Sequence, residues 1–262
     1  PYLYGKSPLH VRKFLLACRE SSQERAAPHA LPSRRQRLFP YENPYNSPIL
    51  PLIFKHNIMK ILIAGAGKMG SFFTDLLSFD HEVAVLESDP RRMRFIYNAL
   101  RLASPDEVEA FAPELVINCV TLSRTLEAFD TVLPHLKPYC IISDIASVKT
   151  GLAEYYARCG FPYVSTHPMF GPTFANLGNL MNENAIIISE GDHLGRVFFK
   201  DLYGRLKLNI FEYTFDEHDR VVAQSLGIPF ASTFVFVATM EHQDAPGTTF
   251  RRHMKIARGV LS

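Results

Sequence analysis

Met59–Gly70, MKILIAGAGKMG, is the stretch whose reading decides the fold. Met59 to Ala64 is a short apolar run with β-branched Ile61 and Ile63, and it breaks into a glycine-rich turn, Gly65 to Gly70. A buried strand feeding such a turn and then a helix, here Ser71–Leu77, is the context that a dinucleotide fingerprint requires. Each glycine has its own task. Gly65 allows the tight turn, Gly67 lets a pyrophosphate approach the backbone, and Gly70 lets helix and strand pack closely. The helix N-terminus adds N–H donors and partial positive charge for phosphates. A second strand, His81–Leu86, ends at Glu87, 22 residues after Gly65. A carboxylate there accepts the adenosine ribose hydroxyls and repels a 2′-phosphate. Gly65, Ala66, Gly67, Lys68, Met69, Gly70 and Glu87 are therefore assigned to a nicotinamide dinucleotide, with NAD expected over NADP. The competing reading is a glycine-rich turn in an unrelated α/β domain.

Working outward, the pattern alternates strand and helix. Asp89-Pro90 supplies an N-cap and a first-turn proline for a helix over Arg91–Leu100. Ser104 and Glu107 read as a capping box for a further short helix. Strand Leu115–Val120, helix Arg124–Leu133, strand Cys140–Asp144, helix Lys149–Cys159 and strand Tyr163–Thr166 follow. Strand Ala185–Ser189, helix Leu194–Leu206 and strand Asn209–Tyr213 complete the series. The expected fold is α/β: a Rossmann-type, doubly wound, mainly parallel sheet over residues 59–213, with room for antiparallel strands at its end.

Residues 214–262 read as helical. Thr214 and Glu217 form a capping box, and Leu226–Met240 is fifteen residues without a charge. That run is too short and too rich in Ser and Thr for a membrane span. It needs another helix to cover it, and Pro229 is expected to kink it. The segment is expected to begin a helical substrate and dimerisation domain that is incomplete or is completed by another subunit, with a homodimer expected through it. Residues 1–58 hold eight of the 18 prolines and nine Lys/Arg against three Asp/Glu. They are expected to be an extension without a stable fold, with Met59 as the natural start. The remaining residues carry 19 Lys/Arg against 23 Asp/Glu, so the folded part gives no reason to expect nucleic acid. Cys18, Cys119, Cys140 and Cys159 are far apart, so neither a metal site nor a disulfide framework is indicated, and a reducing cytoplasm fits best.

Two further stretches carry chemistry. Ser143–Lys149, SDIASVK, and Ser165–Pro172, STHPMFGP, lie at the carboxyl ends of adjacent strands, where ligands sit in open α/β sheets. His167 beside Ser147 suits a general base, because a hydroxyl can fix the tautomer and orientation of an imidazole. Its titration is expected around the ordinary histidine value of about 6.5, shifted by its surroundings. The alternative is a loop or capping histidine. His218-Asp219, in the first turn of a capped helix, reads as a structural pair, and Arg91 and Arg92 as solvated first-turn charges.

In this order and spacing, GAGKMG, DIASVKT, THPMFGP and Glu217–Arg220 resemble the prephenate/arogenate dehydrogenases of tyrosine biosynthesis, over Met59 to about Arg258. The resemblance implies oxidative decarboxylation of prephenate or arogenate, with hydride passing to NAD. It implies catalytic roles for His167 and for its hydrogen-bonding neighbour Ser147. Asp144 and Thr121 join the cofactor set, Thr121 standing where the family usually has a proline near the nicotinamide. Ser147, Lys149, His167 and Lys255 form the substrate set. Lys255, in Met254–Ala257, stands where many members carry an arginine that grips a substrate carboxylate, and it lacks that residue's fork. A Ser-His-x-Pro-His run common in the family is Leu226–Phe230 here, without either histidine. Rival readings are a β-hydroxyacid dehydrogenase of the 6-phosphogluconate or hydroxyisobutyrate type, or an NAD(H)-binding sensor without turnover. Against the former, Asp219–Met240 contains no lysine.

Overall fold

The strand Lys60–Ala64 (β1) lies at the centre of one eight-stranded sheet, and its Ile61, Leu62 and Ile63 are fully buried. A parallel strand covered on both faces reads as an unbroken apolar run, which is why this element is so plain in the sequence. The computed structural model describes residues 58–171, 180–181, 183–241 and 243–261. The expectations for residues 1–57 lie outside these.

β1 pairs in parallel with β2 (Glu82–Leu86) on one side and β4 (Leu115–Asn118) on the other. Beyond β2 lies β3 (Leu100–Leu102); beyond β4 lie β5 (Ile141–Asp144), β6 (Tyr163–Pro168), β7 (Asn184–Ile188) and β8 (Asn209–Tyr213). Parallel pairing holds from β3 through β6. β7 then runs antiparallel to β6, and β8 parallel to β7. The order 3-2-1-4-5-6 reverses between β1 and β4, and that switch point is where a Rossmann sheet opens its ligand crevice. Helices cover both faces. Phe73 and Leu77 of α1 (Lys68–Leu77) anchor one core layer together with Phe199 and Tyr203. Phe129, Tyr155, Tyr156 and Phe215 anchor the other.

Three local expectations change. The helix read over Arg91–Leu100 is a single turn, α2 (Pro90–Met93), with the Asp89 cap as expected. Only Met93 and Ile96 point into the core there, so the helical face is exhausted at once and Leu100–Leu102 pairs with β2 as an edge strand. The helix α3 (Asp106–Phe111) forms without the capping box, because the Glu107 carboxylate accepts the Ala103 N–H instead. β6 extends two residues past the expected end because β7 pairs with His167 and Pro168. His167 therefore sits in a strand, not in the loop after it.

After α4 (Thr125–Val132), α5 (Leu152–Cys159) and α6 (His193–Arg205), the chain enters a helical run, Phe215–Thr239. It comprises α7 (Phe215–Val222), a π turn over Ala223–Gly227, and α8 (Ile228–Thr239). The π turn takes up the missing N–H and the ring of Pro229, so the expected kink is a widened turn just before it. At 25 residues this run is, by length and composition alone, long and apolar enough to cross a membrane, which the uncharged stretch by itself is not. Its first turns carry Asp216, Glu217, Asp219 and Arg220 and pack against β7 and β8. α9 (Thr248–Leu261) folds back on α8 through Phe236, whose ring lies 5.5 Å from Phe250, while Ile228, Phe234 and Val235 stay exposed.

Candidate active site

The turn after β1 is built as the glycines demand. Gly65 has φ +101°, a left-handed conformation that suits glycine. A Cβ on Gly70 would lie 1.8 Å from the Gly65 carbonyl oxygen, so α1 starts directly on the turn. At Gly67 a Cβ would meet nothing within 4 Å, leaving the backbone open to the cleft. Glu87 sits across this turn. Its Oε2 accepts the Ala66 N–H at 2.8 Å, and its Oε1 accepts the Asp89 N–H at 2.9 Å and the Ser88 hydroxyl at 3.1 Å. Burial pushes the Glu87 carboxyl up, but these donors and Arg92 outweigh it and hold it below the usual range. Arg91 and Arg92 are both exposed first-turn charges as expected; Arg92 also leans to Glu87 at 3.6 Å at the edge of the cleft, and Arg91 pairs with Asp89 at 2.9 Å. The cleft, about 460 Å³, is also lined by Gly65, Gly67, Thr121 and Arg124. This open backbone, helix N-terminus and ionised carboxylate fit a dinucleotide.

A second cleft, about 620 Å³, shares Cys119 and Val120 with the first and continues past the end of β4. Met69, Leu122, Ile145, Ser147, His167 and Phe170 line it. His167 is nearly buried, and its Nδ1 lies 2.9 Å from Nε2 of His218. Nδ1 of His218 lies 2.9 Å from Oδ1 of Asp219. That carboxylate also accepts the Lys149 N–H and the Thr150 hydroxyl, each at 2.9 Å. A carboxylate can only accept, so His218 donates from Nδ1 and its Nε2 carries a lone pair. His167 must then donate from Nδ1, which leaves its Nε2 as a basic nitrogen. Burial, then the charge of Lys149 and the neighbouring His218, push His167 down to about 3; burial likewise lowers His218. Both rings are neutral at physiological pH, well away from the expected titration around the ordinary value.

This gives an acid-stability signature. The unfolded chain takes up these protons below about pH 6.5 while the folded chain resists them. Stability is therefore complete above that value and is lost as pH falls, by up to ~1.4 kcal/mol per pH unit for each ring. His81, also lowered by burial, adds in the same direction. Melting temperature should drop steadily from pH 7 to pH 5, and less steeply in His167→Asn. An equal slope in both chains contradicts the buried neutral ring.

Several expected roles change in the structure. Ser147 lines the cleft, but the ring of His167 is held by His218, which the capped start of α7 carries in behind β6. Asp144 and Lys149 are fully buried as a pair, Nζ to Oδ1 at 2.6 Å, with Nζ also donating to the Thr166 carbonyl at 2.7 Å. The other Asp144 oxygen takes the Tyr156 hydroxyl at 2.6 Å. Closed off in this way, Asp144 does not face a cofactor and Lys149 does not face a substrate. Lys255 is exposed on α9 and lines a separate groove with Phe250 and Arg251, because α9 packs along α8 rather than over the sheet.

With this geometry in place, the likeness to known proteins has a definite reach. Residues 88–205, which include Ser147, Lys149 and His167, match the family model described as prephenate dehydrogenase, nucleotide-binding domain. The match spans somewhat less than half of the chain, and over it the chain is similar to that family's nucleotide-binding domain. A Methanocaldococcus jannaschii protein named probable arogenate/prephenate dehydrogenase is 24% identical over 194 residues, 71% of this chain and 43% of that protein. The chain thus spans less than half the length of that relative. The crystal structure of Aquifex aeolicus prephenate dehydrogenase in complex with hydroxyphenyl propionate and NAD+ has a TM-score of 0.67 at 21% identity, covering 78% of this chain and 79% of that one. Synechocystis arogenate dehydrogenase has a TM-score of 0.61 at 20% identity, covering 76% and 79%. The glycine turn precedes the matched residues, and His218 and Asp219 follow them.

Proposed function

We propose that the chain carries out NAD-dependent oxidative decarboxylation of prephenate or arogenate. One observation carries this reading: the His218–Asp219 pair fixes the donor side of His167, leaving Nε2 unprotonated on a side chain that lines the cleft continuing from the glycine turn. The family model that residues 88–205 match and the name of the M. jannaschii relative support it.

Gly67 and the start of α1 would hold the pyrophosphate, Glu87 the adenosine ribose, and Thr121 the wall of that cleft. Bound NAD supplies the hydride acceptor. His167 takes the proton of the ring hydroxyl through Nε2 as hydride leaves the same carbon. The imidazolium so formed keeps its Nδ1–H on His218, backed by Asp219. Loss of CO2 leaves its electron pair in the ring, which becomes a phenolate and recovers the proton. Met69, Ile145 and Phe170 keep the reacting ring away from water, and Ser147 offers it a hydroxyl. The exposed face of α8 is read as the place where a second copy docks, in a cytoplasmic homodimer without membrane or nucleic-acid partners.

A second reading is a dinucleotide-binding module without turnover. It is favoured by the absence of Lys and Arg from the described residues lining the His167 cleft, since prephenate carries two carboxylates. One assay separates the readings: prephenate, arogenate, hydroxyisobutyrate and 6-phosphogluconate, each offered with NAD or NADP. The expected result is NADH from prephenate or arogenate, with NAD preferred because Glu87 disfavours a 2′-phosphate. Turnover only of the hydroxy acids, or better use of NADP, would count against it.

A further inference from the structure

Lys149 touches both sides of the contact that orients His167. Its Nζ donates to the carbonyl of Thr166, the residue before His167 in β6. Its backbone N–H donates to Oδ1 of Asp219, the oxygen that also holds His218. We propose that Lys149 is a positioning residue that clamps β6 to α7, so that His167 gives its Nδ1 proton to His218 and keeps Nε2 as the base. This rests on the reading of His167 as the base, but its test needs no turnover.

Burying an ammonium costs more than burying a methionine of similar size, so a role in stability alone is a weak explanation. The network around it is complete. Asp144 takes Lys149 Nζ, the Ala146 N–H and the Tyr156 hydroxyl, and the Thr166 hydroxyl shares a hydrogen bond with Tyr203. The pair is therefore satisfied, and its acceptor on β6 is the residue next to the base. The charged and titratable groups around His167 are Lys149, Asp144 beneath β6, and His218 and Asp219 on α7. Lys149 opposes a proton on the ring, and the two carboxylates favour one.

The test is long-range 1H–15N NMR on the full chain with labelled histidine, which reads both tautomer and titration of each ring. The parent should show His167 as a single Nδ1–H tautomer that stays neutral down to about pH 5. Lys149→Met combined with Asp144→Asn removes both buried charges at nearly constant volume. In that chain His167 should become a tautomer mixture, because the β6 side of the contact is no longer held. A folded double variant with an unchanged single tautomer overturns the clamp. Should that variant not fold, Lys149→Arg keeps the charge but changes the donor that bridges Asp144 and the Thr166 carbonyl, and it should also give a mixture; an unchanged single tautomer there overturns the clamp too. A single tautomer in the parent and a mixture in the double variant, without NADH formation from the parent, support the clamp while removing the proposed reaction.

Discussion

A chain carrying Gly70→Ala should lose more than about 4 kcal/mol of stability or fail to accumulate folded, the range reserved for severe backbone or core conflicts. The added Cβ would lie 1.8 Å from the Gly65 carbonyl oxygen and 2.9 Å from its carbon. Both are backbone atoms of a turn whose N–H is bonded to the Leu86 carbonyl at 2.8 Å, so neither side can give way cheaply. Gly67→Ala is the control. Gly67 has φ −70°, open to any residue, and no heavy atom lies within 4 Å of the new methyl. Stability should hold or rise slightly, while dinucleotide affinity falls because the methyl occupies the approach of the pyrophosphate. Thermal melts and NAD titrations of the two variants check this. A Gly70→Ala chain melting like its parent would show that α1 does not rest on the turn.

His167→Asn should lower turnover on the order of 10²–10⁴-fold, the usual worth of a positioned general base. NAD affinity should be nearly unchanged, since the glycine turn and Glu87 lie in the neighbouring cleft. Ser147→Ala should cost less, because the ring is oriented from the other side by His218. Because His167 is lowered to about 3, the parent's rate should be level across neutral pH, with its acid limb well below the ordinary histidine range. A rate that climbs through a group near 6.5 would mean that the ring meets solvent more freely than its burial implies.

What the sequence discloses follows from how local each feature is. β1 and the glycine turn are legible because burial on both faces leaves a continuous apolar run and the turn leaves three spaced glycines. The edge strand Leu100–Leu102 is not, since only Leu102 of the three is buried and the preceding residues favour helix. His167 is found from its place after a strand, yet its partner lies 51 residues on, and nothing short of the folded packing joins them. The EHD run in Glu217–Asp219 was the available signal. A histidine four residues into a capped helix, followed by aspartate, can donate from Nδ1 to the acid and accept at Nε2 from another ring. Lys149 misleads for a different reason. The resemblance puts Lys149 in the substrate set, and only the convergence of β5 and β6 shows it neutralising Asp144 in the core.

The most direct measurement is the stoichiometry of NADH and CO2 when prephenate, and separately arogenate, is added to the full chain with NAD. A base in the His167 cleft acting on this class of substrate predicts the two products in a one-to-one ratio from at least one substrate, with both lost together in His167→Asn. NADH without CO2, CO2 without NADH, or equal rates from parent and His167→Asn would contradict it.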